Sequence, residues 1–398
     1  MISVAEGQAR ILAQVLRPTA LELTPLLHAL GRVLGSDVEA PFDVPPADNS
    51  AVDGYAVRAA DLIPNGRARF RIVRDLAAGS VYSGTVGPGE TLRIMTGAPI
   101  PRGADTVVPQ ELAEHEADEV LLAPVPGAAN VRERGEDVHA GTVVLQRGTL
   151  LRPQELGLVA SLGFREVRVH AKPRVALLST GDEVVAPGLP REPGQIYDAN
   201  RFSLHGLVEA SGGAPLDLGI VPDIPEVLRA RLLDAADRAD IVLTSGGVSV
   251  GAYDLVKAVL ADIGGIDFWQ VAMQPGRPLA VGKIGETHFF GLPGNPVASV
   301  LCFLLFVRPA LWKLSGRREL EPSRFTAVAT ERMGKKAGRR EFKRGIVRFT
   351  ERGWEVSTTG PQGSGILSSM VTANCLIILE EPRSDVQPGE AVLVEPLA

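Results

Sequence analysis

Cysteine is nearly missing from this chain: two in 398 residues, Cys302 and Cys375, far apart and each inside an apolar run. That excludes a disulfide framework and points to reduced core thiols in a cytoplasmic protein. A basic surplus is missing too. The net charge of −6 argues against a general nucleic-acid binder. No apolar run is long enough to span a bilayer, the longest (297–307) reading as a core helix. The N-terminal seventeen residues lack the basic-then-apolar layout of a signal peptide. The six histidines are scattered without metal-ligand spacing, and there is no CxxC and no P-loop. Neither a Ser-His-Asp nor a Cys-His arrangement can be argued. What the chain does have is glycine (43) and proline (30), neither at a fixed period, with 45% apolar residues. That combination means many tight turns and β-rich modules, not disorder, in a length that allows roughly two to four domains.

The texture changes along the chain. Ser3 as N-cap and Glu6 at the capping-box position predict a helix over 3–17, and a second is expected over 26–34. The proline-rich 41–46 reads as a domain crossing. Short strands at 54–57, 70–74, 90–95, 106–109 and 119–122 predict a small β domain over 47–140. Strand 142–145 and helix 154–162 return to the N-terminal part, so 1–46 with 141–170 is expected to form one discontinuous domain. From 171 strands (174–179, 214–221, 241–244, 268–273, 279–281, 288–291) alternate with helices (200–211 with Asn200 as cap, 225–238, 255–263, and 296–314 with Pro296 at its first position). Alternation of this kind predicts a mostly parallel sheet covered by helices on both faces over 171–316. Beyond Ser315-Gly316, strands at 324–331, 342–349, 354–358, 375–379 and 391–394 predict a C-terminal β domain over 317–398. The fold class is multidomain α/β plus β.

Chemistry concentrates at turns that end apolar runs. Ser245-Gly246-Gly247-Val248-Ser249-Val250-Gly251-Ala252-Tyr253-Asp254 joins a strand to a helix. Its glycines permit left-handed backbone and close ligand approach, and its N–H groups can hold phosphate. Asp254 is either the helix cap or a metal ligand. Ser179-Thr180-Gly181-Asp182-Glu183 and Asp223 end two neighbouring strands. Carboxylates around a phosphate site need a cation, and Mg²⁺ fits because it binds through one or two carboxylates plus substrate phosphate. Gly291-Leu292-Pro293-Gly294-Asn295-Pro296, with Asn295 at the cap position, is a rigid helix start or a second anion cradle. Three such turns in one α/β segment suggest one site. Arg277 stands on a stiff loop, as a surface ion pair or a phosphate clamp. Residues 331–344 carry seven Lys/Arg against two Glu, a solvated hairpin or an anion-attracting surface.

Taken with Asp48-Asn49-Ser50-Ala51-Val52-Asp53-Gly54-Tyr55-Ala56 and Arg93-Ile94-Met95-Thr96-Gly97-Ala98-Pro99, these motifs closely resemble the MoeA family, in order and over essentially the whole chain. That family comprises bacterial molybdopterin molybdenumtransferases and is related to the E domain of gephyrin. The resemblance implies an elongated four-domain homodimer whose third domain binds molybdopterin. It implies a reaction in which adenylylated molybdopterin and molybdate give molybdenum cofactor and AMP with Mg²⁺, and a possible contact with the pathway's adenylyltransferase. By position it assigns Asp53, Thr96 and Asp137 to a site in the second domain. Glu183, Asp223 and Asp254 become catalytic and metal-binding acids. Ser245, Gly246, Gly247, Ser249, Gly251, Pro293, Gly294, Asn295 and Pro296 become substrate-binding turns. Arg277, Arg344 and Ser364 become candidates for holding molybdate. One departure stands out: where the family commonly has Lys-Pro-Gly-Lys-Pro, this chain has Gln274-Pro275-Gly276-Arg277-Pro278. Two rival readings are an adenylyltransferase sharing the third-domain fold and a gephyrin-like scaffold.

Overall fold

The computed structural model describes residues 1–116, 118–246 and 253–397, without the side chains of 253–257. The chain divides into two compact units. One comprises Met1–Gly35, Gly148–Arg152 and Glu166–Ala398; the other comprises Ser36–Arg147 and Pro153–Arg165.

The first unit is built on a six-stranded sheet: β1 (Arg174–Thr180), β2 (Ala214–Val221), β3 (Ile241–Ser245), β4 (Gly264–Gln270), β5 (Pro278–Ile284) and β6 (Thr287–Leu292). The order is β2-β1-β3-β6-β5-β4. The first four strands in that order run parallel, and β5 and β4 add antiparallel. Alternation along each strand feeds two cores. Val175, Leu177, Ile241 and Leu243 pack with the N-terminal helix Val4–Gln14 and with α1 (Asn200–Ala210). Ala176, Leu178 and Val242 pack on the other face against α2 (Pro225–Arg238) and α3 (Tyr253–Ile263). Each fully buried aliphatic side chain contributes about 1.5–3 kcal/mol, so a sheet buried on both faces needs the continuous apolar runs these strands have. The sequence pattern therefore carried the parallel sheet and its two helical layers.

α4 (Pro296–Cys302) continues through a π-helical turn, Phe303–Val307, into a helix over Arg308–Leu314. Pro309 explains the turn, because proline removes an N–H and clashes with the preceding turn's carbonyl. Pro296–Leu314 has the length and hydropathy of a membrane span, but 89% of the apolar window is buried inside the fold, which makes it the core helix expected. Cys302 and Cys375 are buried and free.

In the C-terminal part, strands Phe325–Ala329, Arg340–Thr350, Gly353–Thr358, Cys375–Leu379 and Ala391–Pro396 close into a small barrel. Met273–Gln274 joins its edge beside Arg340 and Glu341. Near the N-terminus, the Ser3 hydroxyl accepts the Glu6 N–H at 3.1 Å, as the cap requires. The helix expected over 26–34 is only a 3₁₀ turn, Leu26–His28. Pro25 starts it, and Gly31 in a left-handed conformation follows, so the apolar spacing had no run of helix-compatible backbone to act on.

The second unit holds a six-stranded open sheet: Thr106–Pro109, Gly54–Val57, Glu90–Ile94, Ala68–Leu76, Glu119–Leu122 and Ala113–Glu116 in spatial order. Every residue of Gly54–Val57 is buried. A Cβ at Gly54 would lie 2.1 Å from the Val108 carbonyl oxygen, so only glycine lets the neighbouring strand come this close. The strand Ala113–Glu116 escapes sequence reading because it is polar and faces solvent.

Candidate functional site

Parallel pairing aligns Ser179 with Ser245 and Ser245 with Leu292. The turns after β1, β3 and β6 therefore end side by side at the carboxyl ends of adjacent strands, where open α/β sheets bind ligands. They line one cleft of about 420 Å³, part of it open to solvent, bounded by Ser179, Thr180, Glu183, Asn200, Ser245 and Gly294, with Tyr197 and Pro296 among its walls. Gly247, Ser249 and Gly251 lie outside the described residues, as does the side chain of Asp254 on the first turn of α3. Gly246 is described. It has φ +94°, and a Cβ there would lie 2.4 Å from the Thr180 carbonyl oxygen. Glycine is what lets the β3 turn close onto the β1 turn.

Two carboxylates line the cleft, Glu183 and Asp198, the latter paired with Arg201, while Asp182 and Asp223 stand outside the lining at the ends of β1 and β2. Asp182 accepts the Asp223 N–H at 3.2 Å. Burial, then the neighbouring charges of Asp182 and Glu183, push the Asp223 carboxyl above its usual range. Its Oδ1 is buried without a hydrogen-bond partner, as are the side-chain oxygens of Ser179, Thr180, Asn200, Thr244 and Asn295. Each unpaired buried oxygen at the end of a sheet costs desolvation unless a ligand, a hard cation or a water satisfies it. Among the described residues no three His, Cys, Asp or Glu side chains converge tightly enough to hold a metal alone. The acids present, Glu183 and Asp223, are oxygen donors of the kind Mg²⁺ accepts when substrate and water complete its shell.

Two expected caps are corrected. Asn200 does not cap α1. Asp198, only 4% exposed, receives the Arg201 N–H at 3.1 Å and pairs with its guanidinium at 2.9 Å. With Asp198 already in place, Asn200 is free to reach across the cleft to Ser245 and Gly294. Asn295 has the extended backbone of an N-cap, but its side chain caps nothing. Its Nδ2 donates to the Ser364 Oγ at 3.0 Å, and the Val297 N–H goes to the Ser364 carbonyl at 3.3 Å. The proline loop, with Pro293 buried, is thus joined to the loop of the barrel that carries Ser364.

Arg344 lies on the barrel strand Arg340–Thr350. It is 1% exposed and does not open onto the cleft. Its Nε donates to the Ser369 Oγ and its Nη2 to the Gly363 carbonyl, both at 2.9 Å, while the Gln362 side chain accepts its N–H at 2.8 Å. It fastens the loop that presents Ser364. Most of the basic stretch is likewise occupied: Arg332 pairs with Asp385, Arg340 with Glu381, Lys343 with Glu341, and Lys335 Nζ sits on three carbonyls. Lys336 and Arg339 line a second, open cleft beside Gln274. Arg277 is exposed and is not among the residues lining the acidic cleft.

In the second unit Asp53 and Thr96 meet: the Thr96 N–H and hydroxyl both donate to Asp53 Oδ1 at 2.7 Å. The N–H, then the hydroxyl, holds this carboxyl below its usual value. Asp137 is exposed and is placed by its N–H bond to the Val44 carbonyl at 3.0 Å.

Three family models match in succession: the MoeA N-terminal region (domain I and II) over residues 2–163, a probable molybdopterin binding domain over 176–313, and the MoeA C-terminal region (domain IV) over 326–397. The chain is 41% identical to the molybdopterin molybdenumtransferase of Haemophilus influenzae, covering 100% of this chain and 98% of that one. It is 38% identical to molybdopterin molybdenumtransferase 2 of Mycobacterium tuberculosis, covering 99% of each. The fold superposes on the molybdopterin biosynthesis MoeA protein of Pyrococcus horikoshii with a TM-score of 0.86 and 32% identity, covering 100% of both chains. The chain belongs to the MoeA family, the molybdopterin molybdenumtransferases of molybdenum-cofactor biosynthesis.

Proposed function

We propose that this chain inserts molybdate into adenylylated molybdopterin and releases AMP in a Mg²⁺-dependent reaction. The observation that carries the reading is the single cleft formed by three turn motifs and lined by no cation among its described residues. A phosphate ester beside Glu183 and Asp223 needs a counter-charge, and these two acids with Asp254 are the residues that would hold Mg²⁺. When bound, the ion supplies Lewis-acid neutralisation of the charge that develops on the scissile phosphate. The protein's own part is positioning and electrostatics. The β3 turn and the proline loop confine the substrate, and Ser364, fixed by Asn295, presents a hydroxyl from the barrel side. Arg277 is an exposed cation available to the incoming oxyanion, and Arg344 holds the loop that carries Ser364. Two buried free thiols fit a cytoplasmic setting. A homodimer belongs to the same reading, with the exposed Leu21, Leu23, Leu27 and Leu30 as apolar surface for it.

The test mixes protein, adenylylated molybdopterin, Mg²⁺ and molybdate and follows AMP. Wild type should release AMP, and Asp254→Ala should retain the adenylylated substrate and release little. Undiminished release by that variant sinks the assignment. ATP consumption with molybdopterin would instead identify an adenylyltransferase, and binding without turnover a scaffold. Metal loading with molybdate and tungstate, compared between wild type and Gln274→Lys, reads the effect of the missing lysine.

A further inference from the structure

The β3 turn and the proline loop are tied together by a side chain that belongs to neither. Asn200 Nδ2 donates to the Ser245 Oγ at 2.7 Å and to the Gly294 carbonyl at 2.8 Å. A carbonyl only accepts, so the amide orientation is fixed and both Nδ2 hydrogens are in use. Ser245 Oγ, being the acceptor of one of them, keeps its own proton. Ser245 is 3% exposed and lines the cleft, and no acceptor for that proton occurs among the described residues. The helix start does not need Asn200, because Asp198 receives the Arg201 N–H.

We propose that Asn200 is a positioning residue of the substrate cleft. It fixes the spacing between the Gly294 turn and the β3 turn, and it leaves the Ser245 hydroxyl as a directed donor to an oxygen of the substrate. The proposal rests on the reading of this cleft as the site of AMP release. The chemistry distinguishes asparagine from its near isostere. Alanine leaves Ser245 and Gly294 unheld. Aspartate presents only acceptors: it repels the Gly294 carbonyl and draws the Ser245 proton to itself, away from the cleft. It also adds a negative charge near Glu183. A side chain that merely stabilised the loops would affect both variants in proportion to their loss of fold.

The experiment measures steady-state AMP release from adenylylated molybdopterin with Mg²⁺ and molybdate, alongside thermal unfolding of each variant. Asn200→Ala should lower kcat/KM about tenfold or more, the scale of one lost hydrogen bond to a charged group. Asn200→Asp should fall further while melting close to Asn200→Ala. The double variant Asn200→Ala with Ser245→Ala should lose clearly less than the product of the two single losses, because part of the Asn200 effect runs through Ser245. Wild-type kcat/KM in both Asn200 variants overturns the proposal. So do independent, multiplying losses for Asn200 and Ser245, or losses that simply follow the folded fraction. If wild type itself releases no AMP, the functional reading falls and takes this proposal with it.

Discussion

Replacing Arg344 by methionine removes a charge and two hydrogen bonds while keeping much of the side-chain volume, and it should loosen residues 360–369 without unfolding the barrel. The two bonds, to Ser369 Oγ and the Gly363 carbonyl, are each 2.9 Å long. Charged donors contribute about 1.5–3 kcal/mol apiece. Against that stands the burial of a guanidinium with no carboxylate in ion-pair contact among the described residues, which lowers the Arg344 pKa; methionine removes this cost, which runs to several kcal/mol for a buried ion. The net loss should fall at about 1–3 kcal/mol. Hydrogen exchange is the suitable assay, because it reads the loop separately from the rest of a multi-domain chain. The Ser369 and Met370 amides, bonded to Ile366 and Leu367 carbonyls at 3.1 and 2.9 Å, should exchange about 5- to 150-fold faster. Arg344→Lys should loosen the loop as well, since an ammonium keeps the charge but lacks the planar fork. Wild-type protection in both variants would refute the fastening role. Retained activity in the lysine variant alone, with protection unchanged, would instead show that Arg344 acts on substrate as a charge.

Two further outcomes follow from the cleft. Asp223→Asn should raise Tm near neutral pH. The Asp223 carboxyl is raised by burial and by Asp182 and Glu183, so its ionised form costs stability; the cost is absent below its unfolded value near 3.8 and appears as pH rises through the folded value. Solvent screening limits the gain to about 1 kcal/mol or less, and melting curves that show equal gain at acid and neutral pH would contradict it. Gly246→Ala should cost both fold and activity, because its Cβ would stand 2.4 Å from the Thr180 carbonyl oxygen at φ +94°. A variant with wild-type Tm and AMP release would show that the β1 and β3 turns separate freely.

Legibility followed the range of the physics. Strands buried on both faces wrote themselves as apolar runs, so β1, β3 and β6 and the three turns beyond them could be found without coordinates. Their convergence was also inferable, because parallel strands end on the same edge. Strand Ala113–Glu116 was not legible: its stability comes from pairing with Glu119–Leu122 rather than from an apolar face. Asn200 and Asn295 misled for a shared reason. Asparagine at a helix start is a good cap by local statistics, yet both amides form bonds with residues 45 to 94 positions away, and local pattern holds no trace of those partners. Asp198, two residues before Asn200, was the available clue that the cap was already supplied.

The basic stretch over 331–344 shows why counting charges misjudges a site. As a sequence it looks like an anion trap of seven cations. In the fold Arg332, Arg340 and Lys343 are committed to carboxylates, Lys335 to carbonyls and Arg344 to a loop. Lys336 and Arg339 are exposed and line the cleft beside Gln274, together with the carbonyl-bound Lys335. The acidic cleft, by contrast, has no cation among its described lining residues. An anionic substrate beside Glu183 would be repelled by that carboxylate, whatever hydrogen bonds the turns supply. On the proposed function the counter-charge comes from outside that lining. Chelation of divalent metal should therefore abolish AMP release, while raising the salt concentration should weaken it only modestly, because a metal shared between carboxylate and phosphate is screened far less than exposed side chains such as Arg277. The reverse pattern, tolerance of chelator with steep salt sensitivity, would assign the counter-charge to Arg277 and the exposed lysine and arginine instead.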